Sequence, residues 1–127
     1  MSDDYMKRWS AANEVMMKKV EAELAKKNQK PSVIYSAYKS DDEGIPIDNL
    51  DEIAVKGKVI IIENADDFFG NGNGYQSTVI NNPTWLDLTL LANEMILIVG
   101  DFHHIYFEGI RLVTDGEVKT YKFVMGS

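Results

Sequence analysis

The pair Asp115-Gly116 constrains the fold most, because it separates two long apolar runs, Phe102 to Val113 and Val118 to Met125. An Asp-Gly pair between such runs is a strong signal for a β-hairpin, since the favoured tight turns need positive φ angles that these two residues tolerate. We therefore predict that the chain contains a long antiparallel hairpin formed by these two runs.

The register of this hairpin can be predicted by counting outward from the turn. A two-residue turn places Leu112 opposite Lys119. If this register continued unchanged, Phe107 would lie opposite Val124, and the aromatic residues of the two strands would not share one face. One surplus residue at Glu108-Gly109 restores the alignment and sets Phe107 opposite Phe123, and glycine is favoured at such a bulge. The predicted core face then consists of Ile105, Phe107, Ile110, Leu112, Tyr121, Phe123 and Met125.

Two segments have the pattern of helices. From Asp3 to Lys27 apolar residues recur every three or four positions, which predicts an amphipathic helix. The pair Asn82-Pro83 is a helix-start signal, and the following segment from Thr84 to about Ile98 is apolar on most sides. A helix of that kind is expected to be buried in the fold or in an oligomer. Gly100 is the expected C-terminal cap.

Strands are expected at Ser32 to Lys39, Lys58 to Glu63 and Tyr75 to Ile80, where β-branched and aromatic residues are frequent. The apolar run in the second of these predicts a strand that is covered on both faces. Between Lys39 and Lys56 the chain is acidic and contains no basic residue, so we expect a solvated loop with one helical turn around Asn49 to Ala54.

These elements predict one α+β domain spanning residues 1–127, in which a curved antiparallel sheet wraps around the buried second helix behind an N-terminal amphipathic helix. The order of helix, strands, buried helix and long bent hairpin resembles the cystatin-like and nuclear-transport-factor-like cone folds. The resemblance lies in the inferred topology alone, and it implies a concave space between hairpin and helix. Such folds host unrelated functions.

Charge and composition exclude several classes of function. The formal net charge of −7 opposes binding to a phosphate backbone, so no nucleic-acid partner is expected. The hydrophobic share of 45% is ordinary for a globular protein, and no membrane partner is expected. The absence of cysteine excludes thiolate sites, and the N-terminus shows no secretory signal. We expect a cytoplasmic protein that needs no cofactor.

The cluster Asp101, His103 and His104 holds both histidines of the chain and is the candidate site. Histidine titrates near neutrality, and a carboxylate two residues away on a strand can share its face, so Asp101 and His103 form a candidate catalytic acid/base pair. No metal site is predicted, because adjacent strand residues point to opposite faces and the two histidines cannot chelate one ion. The alternative is a structural role, with His103 hydrogen-bonded at the edge of the core and His104 half exposed.

Four residues are candidates for contact with a ligand near that pair. They are His104, Tyr106, Glu108 and Trp85, which belong to the hairpin region or to the second helix. A small-molecule ligand in the concave space is the default hypothesis for such a site.

Two further segments are better interpreted as loops. The sequence from Gly70 to Gly74 alternates glycine with asparagine but lacks the lysine of a phosphate-binding loop, so it predicts a flexible turn. Calcium binding through Asp66 and Asp67, or through the acidic stretch from Asp41 to Glu52, is a third possibility that regular ligand spacing does not support.

Two hypotheses for function follow. The first is a non-catalytic binding or assembly module that forms a homo-oligomer through the apolar surplus of the second helix. The second is a small enzyme or ligand-binding cone with Asp101 and His103 at the mouth of the pocket. A filled core with an extensive two-fold interface favours the first, whereas a cavity lined by the acid/base pair favours the second.

Overall fold

The computed structural model describes the backbone of residues 3–39, 42–65 and 68–127, and the side chains of residues 14–38, 46–65 and 68–127. Two helices and a mixed, open six-stranded sheet make this an α+β fold, which confirms the predicted class. The elements in chain order are α1 (Asp3–Ala25), β1 (Ile34–Tyr35), β2 (Tyr38–Lys39), β3 (Asp42–Pro46), β4 (Lys58–Glu63), β5 (Tyr75–Gln76), β6 (Ile80–Asn81), α2 (Trp85–Val99), β7 (Tyr106–Thr114) and β8 (Val118–Gly126).

The sheet has the strand order β1-β7-β8-β4-β5, with β6 paired to the opposite end of β4 from β5. The pairs β1/β7 and β4/β8 are parallel, and the other pairs in the sheet are antiparallel. The expectation of a wholly antiparallel sheet is therefore wrong. A parallel pair needs a long crossover connection, and α2 together with β7 supplies it between β4 and β8. β2 and β3 form a separate two-stranded hairpin.

The hairpin of β7 and β8 is present, and its bulge lies where it was predicted. Phe107 pairs with Met125 and Gly109 with Val124, so Glu108 is the surplus residue. The ladder starts at Thr114 and Thr120 rather than directly beside the turn, and a second irregularity lies between Leu112 and Thr114. Together they leave the predicted pairs wrong by two residues, since Leu112 pairs with Tyr121 and not with Lys119. The first two residues of β8 pair with β4 instead.

A shift of two residues keeps every side chain on its predicted face, since side chains alternate along a strand. Phe107 and Phe123 are buried in the core as expected. Four more predicted residues pack against it, namely Ile105, Ile110, Tyr121 and Met125. Leu112 is the exception and is exposed near the tip of the hairpin.

α2 begins two residues later than the sequence suggested. Thr84 is the N-cap, and its side chain and that of Asp87 form a reciprocal capping box. Asn82 instead adopts a φ of 47° and accepts a hydrogen bond from the backbone of Gly57. The predicted cap at Gly100 is confirmed, since this glycine has a φ of 77° and donates its N–H to the carbonyl of Ile96.

α2 is the centre of the core, and Leu88, Ala92 and Ile96 are fully buried along it. Asn93 is also fully buried, and its Oδ1 accepts hydrogen bonds from the backbone N–H groups of Ser32 and Val33. This side chain therefore fixes the segment that enters β1 against α2. Within the described residues neither helix combines the length and the hydropathy that a bilayer crossing requires.

The short strands differ from the prediction in length. The expected strand from Ser32 to Lys39 is divided into β1 and β2. The expected strand from Tyr75 to Ile80 is divided into β5 and β6, each of which forms a short pairing with β4. β4 is confirmed, with Val59 and Ile61 buried and the intervening Ile60 half-buried. The acidic stretch contains the strand β3 rather than loop alone.

Candidate functional site

A cavity of about 200 Å³ opens between α2 and the sheet, in the region where a concave space was predicted. β4 and β8 are parallel, so their carboxyl ends meet at this edge of the sheet. The start of β7 lies there too, because it pairs with the end of β8. Eight residues line the cavity: Glu63, Asn64, Met95, Val99, Asp101, His104, Phe123 and Met125.

Asp101 and His104 form the polar centre of this cavity. The Nδ1 atom of His104 lies 2.8 Å from Oδ2 of Asp101, while Oδ1 accepts hydrogen bonds from the backbone N–H groups of His103 and His104. The structure thus pairs the carboxylate with the ring of His104 rather than with the expected ring of His103. The side chain of His103 is exposed and does not line the cavity.

The reason for the exchange of histidines is local backbone geometry. Residues 101–105 are not part of a strand, because β7 starts at Tyr106. Asp101 instead accepts from the backbone N–H groups two and three residues ahead, an arrangement that aspartate favours in turns. Such a turn brings together residues three apart, whereas a strand would have brought together residues two apart.

The Asp101 carboxyl is held in its ionised form. Burial opposes ionisation, but the hydrogen bond from the His104 ring and those from the two backbone N–H groups outweigh it and lower the pKa of Asp101 below its usual range. An ionised carboxylate can only accept a hydrogen bond. The Nδ1 atom of His104 therefore carries the proton, and in the neutral ring Nε2 is left as an acceptor.

The segment before β5 is fixed to the end of α2 beside this pair. Asn71 donates its backbone N–H to the carbonyl of Val99 and its Nδ2 to that of Ile98. Both carbonyls belong to the last turn of α2, which has no helical partner for them. The predicted flexible turn is therefore tied to α2 through Asn71. The ring of Phe69 lies 5.2 Å from that of His103 and 5.0 Å from that of His104.

Glu63 is a site residue that the sequence did not reveal. It ends β4 and brings a second carboxylate to the cavity of Asp101 and His104. Its Oε1 lies 4.0 Å from Nζ of Lys122. The apolar run in the sequence predicts that β4 is a strand, but it does not predict which strand β4 pairs with. The closeness of Glu63 to Asp101 therefore could not be inferred from the sequence.

Two of the predicted ligand contacts do not line either cavity described in this section. Tyr106 is exposed at the start of β7. The carboxylate of Glu108 packs against Gly126, where an added Cβ would lie 2.8 Å from its Oε2. The side chain of Glu108 thus fills the space beside Gly126, close to the bulge.

Trp85 lies in a different cavity, near the start of α2. This second cavity has a volume of about 410 Å³. It is lined by Pro46, Ile47, Asp48, Glu52, Ile53, Ala54 and Trp85. The predicted ligand-binding residues are therefore distributed over two separate places, with His104 at the first cavity and Trp85 at the second.

Metal binding gains no support from the side chains that the structure describes. No three of their histidine, aspartate or glutamate groups are arranged to hold an ion. The residues suggested for calcium, Asp66 and Asp67, lie outside the described residues, as do Asp41 and the side chains of Asp42 and Glu43.

Comparisons with protein-family models, with curated proteins and with solved structures found no significant match to this chain, so the geometry above carries the functional argument.

Proposed function

We propose that the protein is a binding module that assembles with a second copy of itself through an apolar surface at the carboxyl end of α2. The observation that carries this proposal is the exposure of large apolar side chains around that helix end. The exposed fractions are 46% for Leu97, 40% for Ile98, 57% for Phe102, 85% for Phe68 and 39% for Phe69. We call these five residues the α2-end surface.

Local contacts support a continuous α2-end surface. Asn71 is bonded to the last turn of α2, and the ring of Phe69 lies 5.2 Å from that of His103, just after that helix end. The rings of Phe68 and Phe69 touch each other with their centroids 4.6 Å apart. Grouped apolar side chains of this kind mark interaction sites more often than scattered ones.

A second copy of the chain is the partner that this surface fits. In a two-fold dimer the same patch meets itself, so an apolar patch is automatically complementary. The net charge of −7 makes two copies repel each other over much of the remaining surface. Apolar burial must therefore supply the attraction, and the α2-end surface offers five exposed apolar side chains for it.

The test is sedimentation velocity over a range of concentrations for the wild-type chain and for the double variant Ile98→Ser/Phe102→Ser. We expect a reversible dimer whose dissociation constant rises by roughly tenfold or more in the variant, since truncation of anchor residues at an interface centre costs about 2 kcal/mol or more. Val79→Ser is the matched control, because Val79 is equally exposed but lies between β5 and β6. A wild-type chain that is monomeric throughout, or a dimer that the double variant leaves unchanged, contradicts the proposal.

The Asp101–His104 pair favours a second candidate function, a proton-transfer or small-ligand site in a cone-like pocket. A histidine held by a carboxylate at Nδ1 presents a basic Nε2, which is the arrangement of a general base and its orienting partner. Glu63 adds a second carboxylate on the wall of the same cavity. The cystatin-like or nuclear-transport-factor-like resemblance remains part of this second proposal.

Nitrogen NMR of the two histidines at a pH where both rings are neutral tests this second candidate. We expect His104 to show protonated Nδ1 and unprotonated Nε2, and we expect Asp101→Asn to shift this balance because the neutral amide no longer requires a donor at Nδ1. His103 is the internal control. A His104 ring with the same mixture of tautomers as His103, insensitive to Asp101→Asn, would rule out an oriented base.

A further inference from the structure

We propose that the cavity at the start of α2 binds a small organic cation, an alkylammonium or guanidinium group, between the indole of Trp85 and the carboxylates of Asp48 and Glu52. This site is separate from the Asp101 pair and from the α2-end surface. Its volume of about 410 Å³ falls within the range of cavities that hold small ligands.

The walls of the cavity combine the two features that recognise such a group. Ile47, Ile53 and Ala54 offer an apolar surface for a carbon chain, while Trp85 offers the aromatic ring that attracts a cation most strongly. Among the residues whose side chains the structure describes, Asp48 and Glu52 are the charged ones that line the cavity, and none of the lining residues is basic. An apolar body with a positive head therefore matches the lining better than a neutral or anionic ligand does.

The two carboxylates are not used elsewhere in the described part of the chain. The neighbouring Asp51 pairs with Lys19 at 3.4 Å, but neither Asp48 nor Glu52 makes an ion pair with a described side chain. Helix capping does not explain them either. The start of α2 already has its own acid in Asp87, and the capping box satisfies its backbone.

The cavity wall is held in place by backbone contacts to α2. Trp85 donates its N–H to the carbonyl of Glu52, and Leu86 donates to that of Leu50. Ala54 in turn donates to the carbonyl of Pro83. The backbone of the acidic segment is thus bonded to the start of α2, which holds Glu52 beside Trp85.

The buried hydroxyl of Tyr35 lies near the same two carboxylates. Tyr35 donates its hydroxyl to the carbonyl of Ile47 at 2.6 Å, next to the cavity lining. Its pKa is raised well above the usual value, first by burial and then by the charges of Asp48 and Glu52. The same field that disfavours a phenolate attracts a cation.

The experiment is an amide and indole NMR titration with n-butylammonium, with neutral n-butanol as the isosteric comparison. We expect saturable shifts at the Trp85 indole and at the amides of Glu52 and Ile53 with the ammonium, and much weaker ones with the alcohol. The double variant Asp48→Asn/Glu52→Gln should weaken binding by roughly tenfold or more, and Trp85→Leu by about twofold to fivefold, since a cation–π contact contributes about 0.5–1 kcal/mol.

Asp51→Asn is the matched control, because it removes an adjacent charge that faces Lys19 rather than the cavity, and it should leave binding unchanged. A dispersed amide spectrum verifies that each variant folds; should the double variant unfold, the single Asp48→Asn at an exposed position replaces it. Equal shifts with butanol and butylammonium, absence of saturation, or binding that survives both charge removals would overturn the proposal.

The source of the cation is decided by a second titration with Nα-acetyl-lysine methylamide. Tighter binding of this compound than of butylammonium indicates a basic side chain of a partner protein, since the added backbone then makes contacts of its own. Tighter binding of butylammonium indicates a free amine.

Discussion

Replacing Phe107 with alanine is expected to lower the free energy of unfolding by about 3–5 kcal/mol, the usual cost of removing a buried aromatic ring. Phe107 is fully buried where β7 faces α2, and its ring contacts those of Tyr35, Trp85 and Phe123 at centroid distances of 6.1, 6.2 and 5.3 Å. The collapse of β7 around the missing ring is limited, because the strand is paired on both sides there.

Urea unfolding monitored by circular dichroism measures this loss, at a protein concentration where every variant is monomeric. Phe107→Leu should cost less, since most of the apolar volume remains. Phe102→Ala, at a ring that is exposed, should change the stability by no more than about 0.5 kcal/mol. Equal losses at positions 102 and 107 would mean that Phe107 is not a buried ring of the core.

Asn93→Leu is expected to reduce stability by about 2–4 kcal/mol although it places an apolar residue in an apolar core. The variant leaves the N–H groups of Ser32 and Val33 without their acceptor, and each unsatisfied buried donor costs about 1–3 kcal/mol. A partial gain opposes this loss, because Nδ2 of Asn93 has no partner among the described residues in the first place. Two backbone donors left without an acceptor outweigh the removal of one unpartnered donor.

The measurement combines urea unfolding with hydrogen exchange. The amides of Ser32 and Val33 should lose protection in Asn93→Leu by more than the global change in stability accounts for. Asn81→Leu, on the exposed strand β6, is the matched control and should be close to neutral. A variant at position 93 that is as stable as the wild type would show that water or a backbone shift satisfies the two donors.

The parts of the fold that depend on neighbouring residues could be predicted from the sequence. Asp115-Gly116 indicated the hairpin, and the parity of the aromatic residues around Gly109 indicated a bulge at Glu108. Both signals are local. Side chains alternate between the two faces of a strand, so the face on which each residue of the hairpin lies does not depend on the exact pairing register. The register itself was wrong by two, because the ladder begins at Thr114 and Thr120 and has a second irregularity between Leu112 and Thr114, neither of which the Asp-Gly pair indicates.

The candidate site was predictable in its residues but not in its geometry. The segment from Asp101 to His104 was recognised as chemically distinctive, yet which histidine meets the carboxylate depends on whether the backbone is a strand or a turn. Glu63 joins that segment through the packing of β4 beside β8, and Trp85 joins Asp48 through hydrogen bonds between a loop and a helix. Such long-range neighbours leave no local pattern in the sequence.

The position of β8 bears on how this chain can fold during synthesis. β8 is formed by residues 118–126 and lies between β7 and β4, in the middle of the sheet. A nascent chain that has emerged only as far as Thr114 holds both flanking strands but lacks the one that joins them. The complete sheet therefore cannot form until residues 118–126 have emerged, and until then it cannot fully cover the apolar face of α2.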